Sequence, residues 1–280
     1  MALKLPDELK KEAPESSWGK MLAATPVVMA VVATLLAGLA SSEMTRAQYD
    51  RAYAAQLQSK AGDQWGYFQA KKMRGAMLAN SLEILEAVAD SPPADLPGFP
   101  TPPPMPQPSL DGKVQAALDA LANDASDAHL TPLLANVTEQ TLANALLAAQ
   151  DAARAYDATN QSTARSMDQF ETSRSGNNRN FTRSVAVAKM RYNAARYDSE
   201  AKLNQYVAGI LELQVRETNH SAERHQHRSG MFFFGMLAAQ AAVIISTLAL
   251  AARQKNVLWS VAAVAGCAAI IFAIYVYLKF

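Results

Sequence analysis

The chain has 280 residues, half of them hydrophobic, and 26 lysines and arginines against 25 aspartates and glutamates leave a formal net charge of +1. That balance argues against a nucleic-acid partner, whose phosphates call for a basic surface. The single cysteine, Cys267, excludes an intramolecular disulfide.

In chain order, a mixed-charge tail (1–20) leads into residues 21–42, the first of three runs without a charged side chain. The others are 229–252 and 256–278. Each has about 22 to 24 residues, enough at 1.5 Å per residue to cross a hydrocarbon core of roughly 30 Å. Three transmembrane helices are therefore expected. The first competes with a signal peptide, because "LAGLASS" ends in small residues. An anchor is favoured, since the tail carries Asp7, Glu8, Glu12 and Glu15 and the apolar run is long for a leader.

Residues 43–90 read as an outgoing helical stalk. Leu78, Leu82, Leu85 and Val88 recur at intervals of three and four, and nothing that must stop a helix occurs before Pro92. This arm contains "GDQWGYFQAKKMRG", residues 62–75, in which Trp65, Phe68 and Lys72 share one face while Tyr67, Lys71 and Arg74 share another. The first face suits packing against a returning helix, with Gln64 and Gln69 able to hydrogen-bond across helices; a binding surface is the alternative. If its ring is buried, Trp65→Ala should cost on the order of 3 kcal/mol.

Residues 91–110 form a proline-rich connector, extended because proline removes donors and clashes with a preceding helical turn. Residues 111–228 are read as a helical hairpin region returning to the membrane. A short helix is expected over 113–123. A seam of Leu142, Leu146, Ala149, Ala153, Tyr156, Thr163, Met167 and Phe170 follows. "SGNN", at 175–178, is a weak point. If it does not break, one helix runs from 138 to 252. Beyond it the seam resumes through Tyr192, Leu203, Tyr206 and Ile210. The outgoing and returning arms each have about 50 residues, so the expectation is an all-α membrane protein with a long antiparallel helical-bundle or coiled-coil stalk between the first and second spans.

His220, Arg224, His225, His227 and Arg228 fall just before the second span and suit a membrane-interface collar. His220 and His227 stand about 10 Å apart along a helix and His225 points away, so no metal site is assigned within one chain. Gln240 is the amide near mid-membrane and is expected to bond a neighbouring helix, or else to line a pore. Small residues recur every four positions at Ala30, Thr34 and Gly38, at Ala238, Ala242 and Ser246, and at Ala265, Ala269 and Ala273, letting helices approach within or between subunits. Trp18, Trp259, Tyr275 and Tyr277 suit interfacial anchoring.

Lys4, Lys10, Lys11 and Lys20 lie on the same side as Arg253 and Lys255 if all three helices span. The positive-inside tendency favours that side as cytoplasmic and the intervening segment as periplasmic, against a competing count of Arg46, Arg51, Arg216, Arg224 and Arg228 on the other flank. Neither a phosphate-cradling loop nor a nucleophile motif is found, so no catalytic residue and no cofactor is assigned.

"TPVVMAVVATLLAGLASS" (25–42), followed about 20 residues later by "DQWGYFQAKKMR", resembles the bacterial membrane proteins grouped as domain of unknown function 4337. "RYDSEAKLNQYVAGILEL" (196–213) and the paired C-terminal spans are similar too. The resemblance implies membrane topology and helical architecture, with no reaction to carry over. The expectation from sequence is a non-enzymatic bacterial inner-membrane protein, in contact with the bilayer, whose stalk assembles as a homo-oligomer or with an envelope protein. The alternative is an oligomeric channel lined by the second span.

Overall fold

The computed structural model describes residues 17–87, 96–123, 125–174, 179–251 and 255–279. Most of the described residues are helical, with no strand among them. The helices are α1 (Ser17–Ala87), α2 (Gly112–Ala122), α3 (Asp127–Leu134), α4 (Glu139–Arg174), α5 (Arg179–Ala251) and α6 (Lys255–Lys279). Stretches of α1, α5 and α6 are long and apolar enough to cross a membrane. The weak point at 175–178, the charged turn at 252–254, most of the N-terminal tail and the first part of the connector lie outside the described residues. So do the side chains of Trp18 and Tyr277.

The chain divides into two compact units, one of Met1–Arg51 with Asn219–Phe280, the other of Ala52–Thr218. In the first, Ala33, Leu36, Ala40, Phe232, Ala239, Ala269 and Val276 form the apolar contact. Gly266 permits close approach, since a Cβ there would overlap Met29 Sδ. Ser229 donates to the Ala40 carbonyl at 2.7 Å, and the Trp259 ring N–H donates to Thr25 Oγ1 at 3.0 Å. The three small-residue rows behave differently. Ala242, Ser246 and Ala269 are buried, whereas Ala30, Thr34 and Gly38 are exposed, and α1 instead turns Ala33, Leu36 and Ala40 inward.

In the second unit the core gathers Leu57, Val114, Ala117, Leu142, Ala149, Ile210 and Leu213 from α1, α2, α4 and α5. Helix α2 begins at Gly112, one residue before the expected start, because the Asp111 side chain accepts the Lys113 N–H at 2.8 Å. Its Leu118 lies against Gly209 of α5, where a Cβ would come within 2.9 Å of Leu118 Cδ2. Helix α3 is an addition to the expected elements: it is short and contains Pro132, but it buries Leu130 and Leu134. Helix α4 opens where the Thr138 hydroxyl accepts the Thr141 N–H at 3.2 Å.

The connector is tied down locally. Gly98 takes a φ of +84°, a turn that places Phe99 edge-on to Phe170 at 5.4 Å, and Phe170 lies over Phe181 at 6.4 Å. Arg174 stacks 4.5 Å from Phe170 and donates to the Pro97 carbonyl at 3.2 Å.

Ion pairs link α1 to α5 within this unit: Lys71 to Glu200, Lys72 to Asp198 at 3.2 Å and Glu86 to Arg191 at 2.5 Å. Partner numbers fall along α5 as they rise along α1.

Candidate functional site

The stretch 62–75 reaches α5 through its basic residues more than through its aromatics. Trp65 is half-buried and meets Phe68 edge-on at 5.5 Å, so the loss expected for a fully buried ring does not apply. Gln69 is exposed and makes no hydrogen bond among the described residues, which corrects the expected cross-helix bond. Lys72 reaches Asp198 as an exposed pair. Lys71, placed by periodicity on the other face, is the more deeply seated cation, packed by Glu200 and 5.3 Å from the Tyr197 ring. Its stem lets it reach around the helix. At Gly75 a Cβ would make ordinary contact with α5, 3.6 Å from the Ala194 carbonyl oxygen and from Tyr197 Cβ.

Around Lys71 and Tyr192 lies a polar layer inside an otherwise apolar bundle. Tyr192 is 2% exposed and donates to Asn160 Oδ1 at 2.6 Å, with Asn160 itself 4% exposed. One turn before Asn160, Tyr156 is 1% exposed and its hydroxyl has no hydrogen-bond partner among the described residues; the same holds for Asn160 Nδ2. Arg196 Nε stands 3.2 Å from Glu200 Oε1, a charge contact without hydrogen-bond alignment. Burial pushes the Tyr192 hydroxyl pKa up, the Thr163 hydroxyl pulling weakly the other way. Partial desolvation of the otherwise exposed Asp157 raises its carboxyl pKa, the charge of Glu200 adds to it, and Lys71 and Arg196 pull the other way. Asp198 is held below the usual carboxylate range by its hydrogen bond from Lys202, with Lys72 assisting. Sequence periodicity missed Asn160 and Glu200, because polar side chains on a helix are read as solvent-facing. The available signal was Tyr192, an aromatic hydroxyl that needs a partner wherever it is buried.

A cleft of about 700 Å³ lies beside this layer, lined by Trp65, Met105, Leu118, Lys202, Tyr206 and Gly209 among others. It brings Trp65 and Tyr206 to one surface, while Leu203 and Ile210 point into the core at 2% and 0% exposure. The acids and bases along it are partly neutralised by one another, as Arg216 meets Glu212 at 3.0 Å and Lys202 meets Asp198 at 2.8 Å.

In the other unit, the five collar residues do not act alike. His220, Arg224 and His227 are exposed and Arg228 is half-buried. His225 turns inward, its Nδ1 2.5 Å from Glu43 Oε2, and Arg46 approaches the same carboxylate at 3.6 Å. Glu43, which marks the end of the first uncharged run, is thus a buried partner of His225. Gln240 is exposed on α5. Among the described residues no group of three or more potential metal ligands occurs.

The arrangement is that of an all-helical protein with three spans of membrane-crossing length and a separate helical unit with a buried polar layer. A family model described as a domain of unknown function (DUF4337) matches residues 18–279. The chain belongs to that family. Neither a curated protein nor a solved structure matches it.

Proposed function

We propose that this chain is a multi-pass protein of a bacterial inner membrane that works as an assembly module and not as a catalyst. Unit Met1–Arg51 with Asn219–Phe280 holds it in the bilayer. Residues 52–218 form an antiparallel helical stalk outside the cytoplasm, offering helix surfaces to further copies or to a membrane-linked partner. The falling partner numbers between α1 and α5 support the antiparallel reading. The four lysines of the mixed-charge N-terminal tail, with Arg253 and Lys255 on the same side, support the orientation, because the tendency counts basic residues and not net charge.

The observation that carries the assembly reading is a ridge on the outer face of α1. Met73, Met77 and Ile84 are 64%, 63% and 65% exposed, and they follow one another at heptad spacing with Asn80 between. In a unit read as water-facing, three large apolar side chains in one row mark an interaction surface. The purified chain in lipid nanodiscs should therefore have the mass of more than one copy, or a photo-crosslinker at position 77 should capture a neighbour in native membranes. A monomer that also captures nothing from position 77 would contradict the reading.

A second reading is a channel formed by several copies around the second span, favoured by the exposure of Gln240. It requires solute or ion flux in reconstituted vesicles that Gln240→Leu abolishes.

A further inference from the structure

Gln240 stands at the midpoint of the uncharged run 229–252, roughly 16 Å by helical rise from either end. It is exposed and makes no hydrogen bond among the described residues. Three hydroxyls within the spans are satisfied by their own helices: Thr34 donates to the Ala30 carbonyl at 2.9 Å, Ser246 to Val243 at 2.9 Å and Thr247 to Ile244 at 2.8 Å. A glutamine amide carries two donors and a two-lone-pair acceptor. Hydrocarbon satisfies neither, and an unpaired amide there is costly.

Its neighbours supply a shape. Phe233, Leu237 and Ile244 are 49%, 43% and 60% exposed, and with Gln240 they recur at four, three and four residues. That period lays them along one ridge. Ala239, Ala242 and Ser246, on the other side of α5, are buried at 0%, 0% and 1% exposure. The amide is therefore on the face turned away from the core of its own unit.

We infer that this ridge closes on the same ridge of a second copy, with the two Gln240 amides hydrogen-bonded across a two-fold axis normal to the membrane. Copies inserted in one orientation carry Gln240 at one depth. An amide is its own complement, donor to acceptor and acceptor to donor, so identical groups meeting at an axis satisfy each other. Leu237 and Ile244 pack on either side as the apolar contacts that surround the pair. A partner of different sequence would need its own polar side chain at this depth, whereas a second copy brings one by construction. The inference rests on the assembly reading and names its membrane contact.

The test uses the full chain in lipid bilayers with Cys267→Ala as background. Single cysteines replace Leu237 or Ile244, with Ala238 and Ile245 as controls on other faces, and oxidative cross-linking is followed with Gln240 intact. Positions 237 and 244 should cross-link to dimers well ahead of 238 and 245. Adding Gln240→Leu should weaken dimerisation by about 3- to 30-fold, while Gln240→Asn, which keeps the amide, should retain most of it. Cross-linking at 237 and 244 that Gln240→Leu leaves unchanged would overturn the amide pair. A multimer that cross-links through 73 and 77 but not through 237 and 244 would overturn the inference and leave the assembly reading standing. A chain that is monomeric in bilayers yet captures another protein from position 77 would likewise overturn the membrane contact alone. A monomer that captures nothing would remove both.

Discussion

Two tyrosines one helix-pair apart should respond to loss of the same atom with opposite sign. Tyr192 and Tyr156 are both about fully buried, at 2% and 1% exposure, and Phe preserves either ring. The Tyr192 hydroxyl donates to Asn160 Oδ1 at 2.6 Å, so Tyr192→Phe strands a buried amide oxygen, at a cost of about 1–3 kcal/mol. The Tyr156 hydroxyl has no partner among the described residues, so its removal relieves an existing desolvation penalty. Tyr156→Phe should be neutral or stabilising by about 1 kcal/mol. For a unit of this size each kcal/mol corresponds to about 2–4 °C in Tm. The expected shifts are about −2 to −12 °C for Tyr192→Phe and 0 to +4 °C for Tyr156→Phe. Both would be followed in detergent by the fluorescence of Trp65, the tryptophan of residues 52–218, with Trp18 and Trp259 replaced by Phe. Equal losses for the two variants would refute the assignment of the polar layer.

Further outcomes follow from the same unit. Glu200→Ala leaves Lys71 and Arg196 with the exposed Asp157 as the carboxylate that still acts on both. Because those two keep 29% and 24% of their side-chain surface, the cost should be about 2–3 kcal/mol, below that of a fully buried pair, whereas Lys72→Met at an exposed pair should cost under about 1 kcal/mol in the same denaturation assay. Asp157 has a raised pKa, so its ionisation opposes folding: Asp157→Asn should stabilise at neutral pH, and the advantage over wild type should disappear as pH falls below the unfolded value of 3.8. Asp198 is shifted the other way, so its contribution is present above pH 3.8 and is lost as pH falls through its lowered folded pKa; Asp198→Asn should therefore destabilise at pH 7 and not in strong acid. At Gly209, an alanine meets the movable tip of Leu118 and gains helix propensity, so it should be close to neutral, while valine should cost about 1–3 kcal/mol in thermal unfolding.

The three spans could be read from sequence because the absence of charge over more than 20 residues is a one-dimensional signal. Helices α4 and α5 could be read because apolar residues mark their inner faces by period. The polar layer could not, since Asn160 and Glu200 are buried through specific partners and not through hydrophobicity, and partners across helices leave no local pattern. The placement of Lys71 failed for a related reason: periodicity assigns the Cα to a face, but a four-carbon stem can carry the ammonium to another. Helix α3 escaped because Pro132 is a stronger local signal than two buried leucines. In the membrane unit, a small-residue row predicts that close packing is permitted but not where it occurs. The row at Ala30, Thr34 and Gly38 is exposed, while Gly266 takes the close contact with Met29.

The most direct test of the topology compares cysteines at positions that are all exposed on the folded chain, so that burial cannot decide the result. In intact membrane vesicles of the Cys267→Ala protein, cysteines replacing Val31, Phe234 and Val264, at 55%, 64% and 70% exposure and off the proposed contacts, should stay unreactive toward a membrane-impermeant maleimide. Cysteines replacing Tyr67 and Leu147, at 57% and 56% exposure, should react from one and the same side of the bilayer. Labelling of positions 31, 234 and 264 at the rate of 67 and 147 would show that water, not lipid, surrounds the apolar helices.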